Sequence, residues 1–168
     1  MKYCEATTNN HNISQTYLQC LKDINDLINE NIDDKSDLCS FFENNEIVID
    51  GDLAEKMVAN FESRNVNNSV DMIFGISQKF KNKQIVFVEL KLNCENSMKS
   101  IKAIRLIEKD MFSRTLFTTE IEQHQITYFI FSKSLLQQAK SVFQTRLFGK
   151  VPNSFIPITL EDLKEKFF

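Results

Sequence analysis

Alternation with a period of two is clearest in SVDMIFGISQKFKNKQIVFVELK, Ser69 to Lys91, where two apolar runs flank a polar connection. In the second run Ile85, Phe87, Glu89 and Lys91 share one face, and Val86, Val88, Leu90 and Leu92 the other. In the first, Val70, Met72, Phe74 and Ile76 share one face, and Asp71, Ile73 and Gly75 the other. The pattern predicts two strands, about 70–77 and 84–92. Each has one wholly apolar face and a second face that is apolar near the turn and charged at the far end. Opposed residues of an antiparallel pair keep a constant index sum. A sum of 160 sets Asp71 opposite Glu89, and 162 sets it opposite Lys91, with the turn centred on Phe80 or Lys81.

A helical period of three and four governs most of the rest. It runs from Ser14 through Tyr17, Leu18, Leu21, Ile24, Leu27 and Ile28. DKSDLCSFFENN reads as a short helix and EIVID as a short strand. In DGDLAEKMVANFESR, Asp52 is placed to cap a helix, with Glu55 as its capping-box partner. A helix over 96–112 puts Met98, Ile101, Ile104, Ile107 and Met111 on its buried stripe and Lys99, Lys102, Arg105 and Lys109 largely off it. QITYFIFS is an apolar strand at 125–132; KSLLQQAKSVFQTRLFG is a helix stopped by Gly149. The tail predicts one strand and a last helix from near Thr159. Residues 1–13 are polar and expected to fray. Without repeats or a break in composition, the 168 residues read as one α/β domain.

Composition adds exclusions. Fifteen Phe and no Trp point to a core of phenylalanine and branched aliphatics. Cys4, Cys20, Cys39 and Cys94 are scattered and far from His11 and His124, which argues against zinc and for reduced thiols in a cytoplasmic protein. MKYCEATTNN has no apolar signal-peptide core, and no apolar run is long enough to cross a bilayer. The net charge of −3 conceals a polarity: residues 1–62 carry 4 Lys/Arg against 13 Asp/Glu, residues 79–114 carry 9 against 4. A basic segment beside carboxylates is where a phosphate backbone could lie, although scattered lysines more often decorate solvated faces. The acidic segment could dock a basic protein partner.

The charged end of the hairpin is the candidate chemistry. Two carboxylates, Asp71 and Glu89, suit Mg²⁺, which takes one or two carboxylates and keeps several waters. The backbone carbonyl of Leu90 is a further oxygen within reach. Lys91 would orient or help deprotonate a metal-bound water, or offset charge growing on a phosphate. A cross-strand salt bridge among Asp71, Glu89 and Lys91 is the competing reading at this point.

The order of elements then matters. A helix carrying Glu55, a strand with Asp71, a hairpin to a strand ending Glu89-Leu90-Lys91, and then a helix and another strand resemble the PD-(D/E)XK nuclease superfamily over about residues 50–132. The resemblance implies a restriction-endonuclease-like α-β-β-β-α-β core: a mixed central sheet flanked by helices, here with extra N- and C-terminal helices. It also implies a metal-dependent deoxyribonuclease, with Asp71 and Glu89 on Mg²⁺ (Mn²⁺ as a substitute), Lys91 assisting water and Glu55 in support. DNA is the implied partner, contacted by Lys99, Lys102 and Arg105, and homodimers occur among small members. Three features depart from the pattern. Val70 stands where the motif's proline would be. There is little room for a strand before Asp71, which EIVID could replace. Glu62 competes with Glu55. His124, Cys94, Gln137, Gln138 and Lys140 carry weaker signals, better read as loop, packing and solvated helix positions.

Overall fold

The computed structural model describes residues 1–32, 41–79, 81–93, 98, 101–118 and 121–168. Lys99, Cys39, Cys94 and most of the helix expected in DKSDLCSFFENN lie outside these residues. In chain order the strands are β1 (Lys2–Tyr3), β2 (Leu21–Asp23), β3 (Ile47–Asp50), β4 (Met72–Gln78), β5 (Lys81–Leu90), β6 (Glu122–Ile130) and β7 (Phe155–Ile158). The helices are α1 (Glu5–Asn9), α2 (Asn12–Thr16), α3 (Ile24–Glu30), α4 (Gly51–Phe61), α5 (Ala103–Leu116), α6 (Leu136–Gln144) and α7 (Leu160–Phe167), with a 3-10 turn at Leu18–Cys20.

These strands build one mixed sheet in the order β2-β3-β4-β5-β6-β7, with β1 added beside β4. The pairs from β2 to β5 are antiparallel, whereas β5–β6 and β6–β7 are parallel. Parallel neighbours need a crossover, and α5 and α6 supply the two. The β4–β5 ladder pairs Met72 with Val88 and Phe74 with Val86, so the index sum is 160, and it closes with Gln78 opposite Lys81.

The alternation determines the layers. Met72, Phe74, Ile76, Val86, Val88 and Leu90 pack with Ile24, Leu27 and Ile28 of α3 and Leu163 and Phe167 of α7. Ile73, Ile85 and Phe87 face the other way, onto Ala54 and Val58 of α4 and onto Phe117, just past α5. On that second side a separate cluster joins Phe129 and Phe155 to Leu106, Ala139 and Phe143. Helices therefore cover both faces of a central sheet. Glu89, paired with Phe129 across the parallel ladder, lies at the seam between the two clusters on the α4–α5 side.

Some expectations change. The stretch from Ser14 to Glu30 is not one helix. Asp23 interrupts it by accepting hydrogen bonds from the Asn25 (2.8 Å) and Asp26 (3.3 Å) amides as the N-cap of α3, and Leu21–Asp23 pair with β3 instead. Residues 1–13 supply β1 and α1, and Thr7, Thr8 and His11 are buried. The close approach of α1 requires Gly75: a Cβ there would lie 2.5 Å from Thr7 Cβ. The cap of α4 is Asp50, accepting from the Leu53 amide at 2.9 Å, so Asp52 falls in the first turn.

The described part of the 96–112 helix begins at Ala103, and the predicted stripe holds in part: Met98 is buried, and Ile101 and Ile107 pack against the cluster around Leu106 and Phe129. Ile104 and Met111 are exposed, while Leu106 and Ser113 are buried. Polar groups turn inward because each finds a partner. Ser113 Oγ accepts from the Val70 amide at 2.8 Å, and Asp110 accepts from the Thr127 hydroxyl and the Arg114 guanidinium. The last helix starts as predicted, with a capping box between Thr159 and Asp162.

Candidate active site

Asp71 immediately precedes β4, Glu89 is the penultimate residue of β5 and Lys91 follows its end. The observed register carries Asp71 to the position opposite Glu89, which is the first of the two sequence alternatives. Two backbone contacts hold this corner. The Leu90 amide donates to Asp71 Oδ2 at 2.6 Å, and the Lys91 amide donates to the Ile130 carbonyl at 2.8 Å. On the other side the first turn of α4 rests against the chain at Val70–Asp71. The Gly51 amide donates to the Asp71 carbonyl at 3.1 Å. Only glycine permits this approach, since a Cβ at residue 51 would stand 2.0 Å from the Val70 carbonyl oxygen.

Glu89 is buried with no exposed side-chain surface and touches two ammonium groups. Lys91 Nζ donates to its Oε1. Lys109 Nζ, from α5, lies 2.8 Å from Oε1 and 2.9 Å from Oε2, and it donates to Asp71 Oδ1 at 3.2 Å. Both carboxylates therefore aim at one cation position, which the Lys109 ammonium fills. Sequence reasoning missed Lys109, because hydrophobic periodicity ranks a lysine off the buried stripe. The signal was the polar run Lys109, Asp110 and Ser113 interrupting that stripe.

The electrostatics follow from crowding. Burial, reinforced by Glu89, pushes the Asp71 carboxyl up to about 6, against the opposing pull of Lys109, the Leu90 amide and Lys91. For Lys109 burial acts downward, yet Glu89 and Asp71 outweigh it and hold the ammonium above its usual value. Asp52, also missed, sits one residue from Gly51 with its outer side exposed, and accepts from Ser69 Oγ at 2.6 Å. Its carboxyl is raised, by partial desolvation first; Ser69 and Lys109 oppose the shift, while Asp71 and Asp50 add to it.

Glu55 is elsewhere. It is buried on α4, where Arg64 grips both its oxygens, at 2.5 Å and 3.0 Å, and the Asn67 amide donates to it at 2.7 Å. Arg64 and that amide overcome the upward effect of burial and hold its carboxyl below the usual value. Glu62 pairs with the same arginine at 2.5 Å. Neither helix glutamate has a contact with Asp71, Glu89 or Lys91 among the hydrogen bonds and ion pairs of the described residues. Lys102 and Arg105 are exposed where α5 begins. His124 lies on β6, held between Gln84 at 3.0 Å and the Tyr128 hydroxyl at 3.3 Å. Among the described residues no group of three or more His, Cys, Asp or Glu forms a ready-made metal cage, and no helix is long and apolar enough to cross a membrane. No family model, curated protein or solved structure matches the chain.

Proposed function

We propose that the protein is a Mg²⁺-dependent nuclease of the PD-(D/E)XK type that hydrolyses DNA phosphodiester bonds. One observation carries the reading: Asp71 and Glu89 direct their oxygens at a single cation position while Lys91 is anchored on Glu89. A buried carboxylate, Glu89, beside the partly buried Asp71 fits Mg²⁺, which needs no all-protein cage. Asp71 and Glu89, with the Leu90 carbonyl, would hold the ion. When bound, the ion would supply Lewis-acid activation of a phosphoryl oxygen and of the attacking water.

The protein's own groups do the rest. Glu89 fixes the Lys91 ammonium, and that ammonium orients the water and offsets negative charge as the water oxygen bonds to phosphorus and the leaving oxygen departs. Lys102 and Arg105 contact neighbouring phosphates, which positions the strand without reading its sequence. The α4-β4-β5-α5-β6 succession supports a restriction-endonuclease-like core, with β3 in the sheet place next to β4 although it precedes α4 in the chain. The chain order is thus β-α-β-β-α-β rather than the expected α-β-β-β-α-β, because EIVID, the strand beside β4, precedes α4.

The test is cleavage of plasmid, linear and single-stranded DNA with Mg²⁺ or Mn²⁺, with Asp71→Ala and Lys91→Ala assayed beside the native protein. Metal-dependent cutting that falls by about a thousandfold or more in both variants supports the assignment. Lack of cutting by folded native protein, or full activity of Lys91→Ala, overturns it. A second reading has its own observation: both carboxylates already hold lysines, and Glu89 is buried. On that reading the network ties β5 to α5 on a binding scaffold, and the acidic segment 1–62 docks a basic protein.

A further inference from the structure

The Lys109 ammonium lies within 2.8–3.2 Å of oxygens from both Asp71 and Glu89, the two residues that would hold the proposed metal. A buried carboxylate beside a partly buried one is costly without a counter-charge, and here the Lys109 ammonium offsets both. One position cannot hold both an ammonium and a divalent ion. An arriving metal must displace Lys109, and the displaced ammonium needs a new partner. Asp52 provides it: it follows Gly51, whose amide donates to the Asp71 carbonyl at 3.1 Å, it accepts from Ser69 Oγ at 2.6 Å, and it is exposed.

We propose that Lys109 is a tethered counter-cation of the metal position, and that its transfer from Asp71 and Glu89 to Asp52 sets the affinity of the site for a divalent ion. This inference rests on the metal-site reading above. Lys109 thereby acts as a positioning residue. It keeps the two carboxylates in place before the metal arrives, and its displacement weakens the affinity the bare pair would have. Asp52 lowers that cost by receiving the ammonium.

The experiment is Mn²⁺ titration by calorimetry and electron paramagnetic resonance on the whole chain: native, Lys109→Met, Asp52→Asn and the double variant. Folding is checked by circular dichroism, with melting followed in EDTA and in Mn²⁺. Lys109→Met is expected to bind Mn²⁺ about tenfold or more tightly than the native protein. It should also melt lower in EDTA and gain more from Mn²⁺. Asp52→Asn should weaken binding several-fold in the native background and much less once Lys109 is gone, a coupling that a merely structural Lys109 does not produce. Lys109→Arg should restore native affinity. If Lys109→Met does not fold in EDTA, Lys109→Gln, which keeps a hydrogen-bond donor, replaces it. Equal Mn²⁺ affinity in folded native and Lys109 variants overturns this inference and leaves the nuclease reading standing. No Mn²⁺ binding by any of them, Lys109→Met included, overturns both.

Discussion

Two carboxylates in this molecule, the buried Glu55 and the partly buried Asp71, carry opposite electrostatic signatures. Glu55 is served by partners from one short stretch of chain: both nitrogens of the Arg64 fork and the Asn67 amide. Its charge is welcomed, and its carboxyl is held below the usual value. Asp71 is approached from β5, α4 and α5, with Glu89 as a like-charged neighbour, and its carboxyl rises to about 6. A carboxylate that only braces a fold loses nothing by being matched as fully as possible. A carboxylate left partly unmatched beside another one stores free energy that a bound cation can release. The contrast agrees with the proposed chemistry at the hairpin's end, while the contacts of Glu55 tie α4 to the chain that follows it.

The element the two regions share offers the severest way to break the contrast. Gly51 lets the first turn of α4 touch Val70 and Asp71, and the same helix carries Glu55 one turn on. Gly51→Ala puts a methyl group into the Val70 carbonyl oxygen. It should cost about 3 kcal/mol or more, read as a lower urea midpoint with an unchanged m-value. Stability within about 1 kcal/mol of native would show that the contact between α4 and Val70 yields easily.

Glu55→Gln attacks the brace alone. It leaves Arg64 without its buried counter-charge, for an expected loss of about 2–3 kcal/mol, discounted because Arg64 is about one-third exposed. Metal affinity and cleavage should stay within a factor of two. A large loss of activity at native stability would return Glu55 to the catalytic site and remove the contrast.

How far the sequence revealed these two regions follows from what periodicity can register. Alternation in SVDMIFGI and QIVFVELK was enough to assign both faces of the hairpin and narrow its register to two choices, because a one-residue slip would turn every apolar side chain outward. The start of the last helix near Thr159 and the EIVID strand were legible for similarly local reasons. The Glu55–Arg64 brace was not, since a glutamate and an arginine nine residues apart carry no marker of pairing. Lys109 escaped because the inward face of α5 mixes apolar side chains with polar ones. Leu106 and Ser113 are its buried residues, and Lys109 and Asp110 are spent on partners from other strands that only the folded sheet brings near. Spacing makes Asp52 a cap, a role that Asp50 fills through the Leu53 amide. Where tertiary partners pay for polar burial, hydrophobic spacing alone assigns only part of the helix face.

The mildest test sharpens the contrast through the sign of its effect. The Asp71 carboxyl lies near 6 in the fold and at 3.8 as a free side chain, so the folded protein binds the extra proton between those values. The metal-free native protein therefore loses stability as pH climbs from about 4 to about 6, and the loss is complete above that. Asp71→Asn keeps an acceptor for the Leu90 amide but has no charge to bury. In EDTA it should match the native protein near pH 4 and exceed it by about 2 kcal/mol at pH 8, judged by urea unfolding. Glu55→Gln should behave in the opposite way, since a carboxyl held low contributes stability above its unfolded pKa and loses it as pH falls. A stabilising substitution at the residue proposed to bind metal is what a site selected for chemistry over folding predicts. If Asp71→Asn were instead less stable at pH 8, Asp71 would be a brace like Glu55, and the charged end of the hairpin would be a salt bridge holding β4, β5 and α5 together.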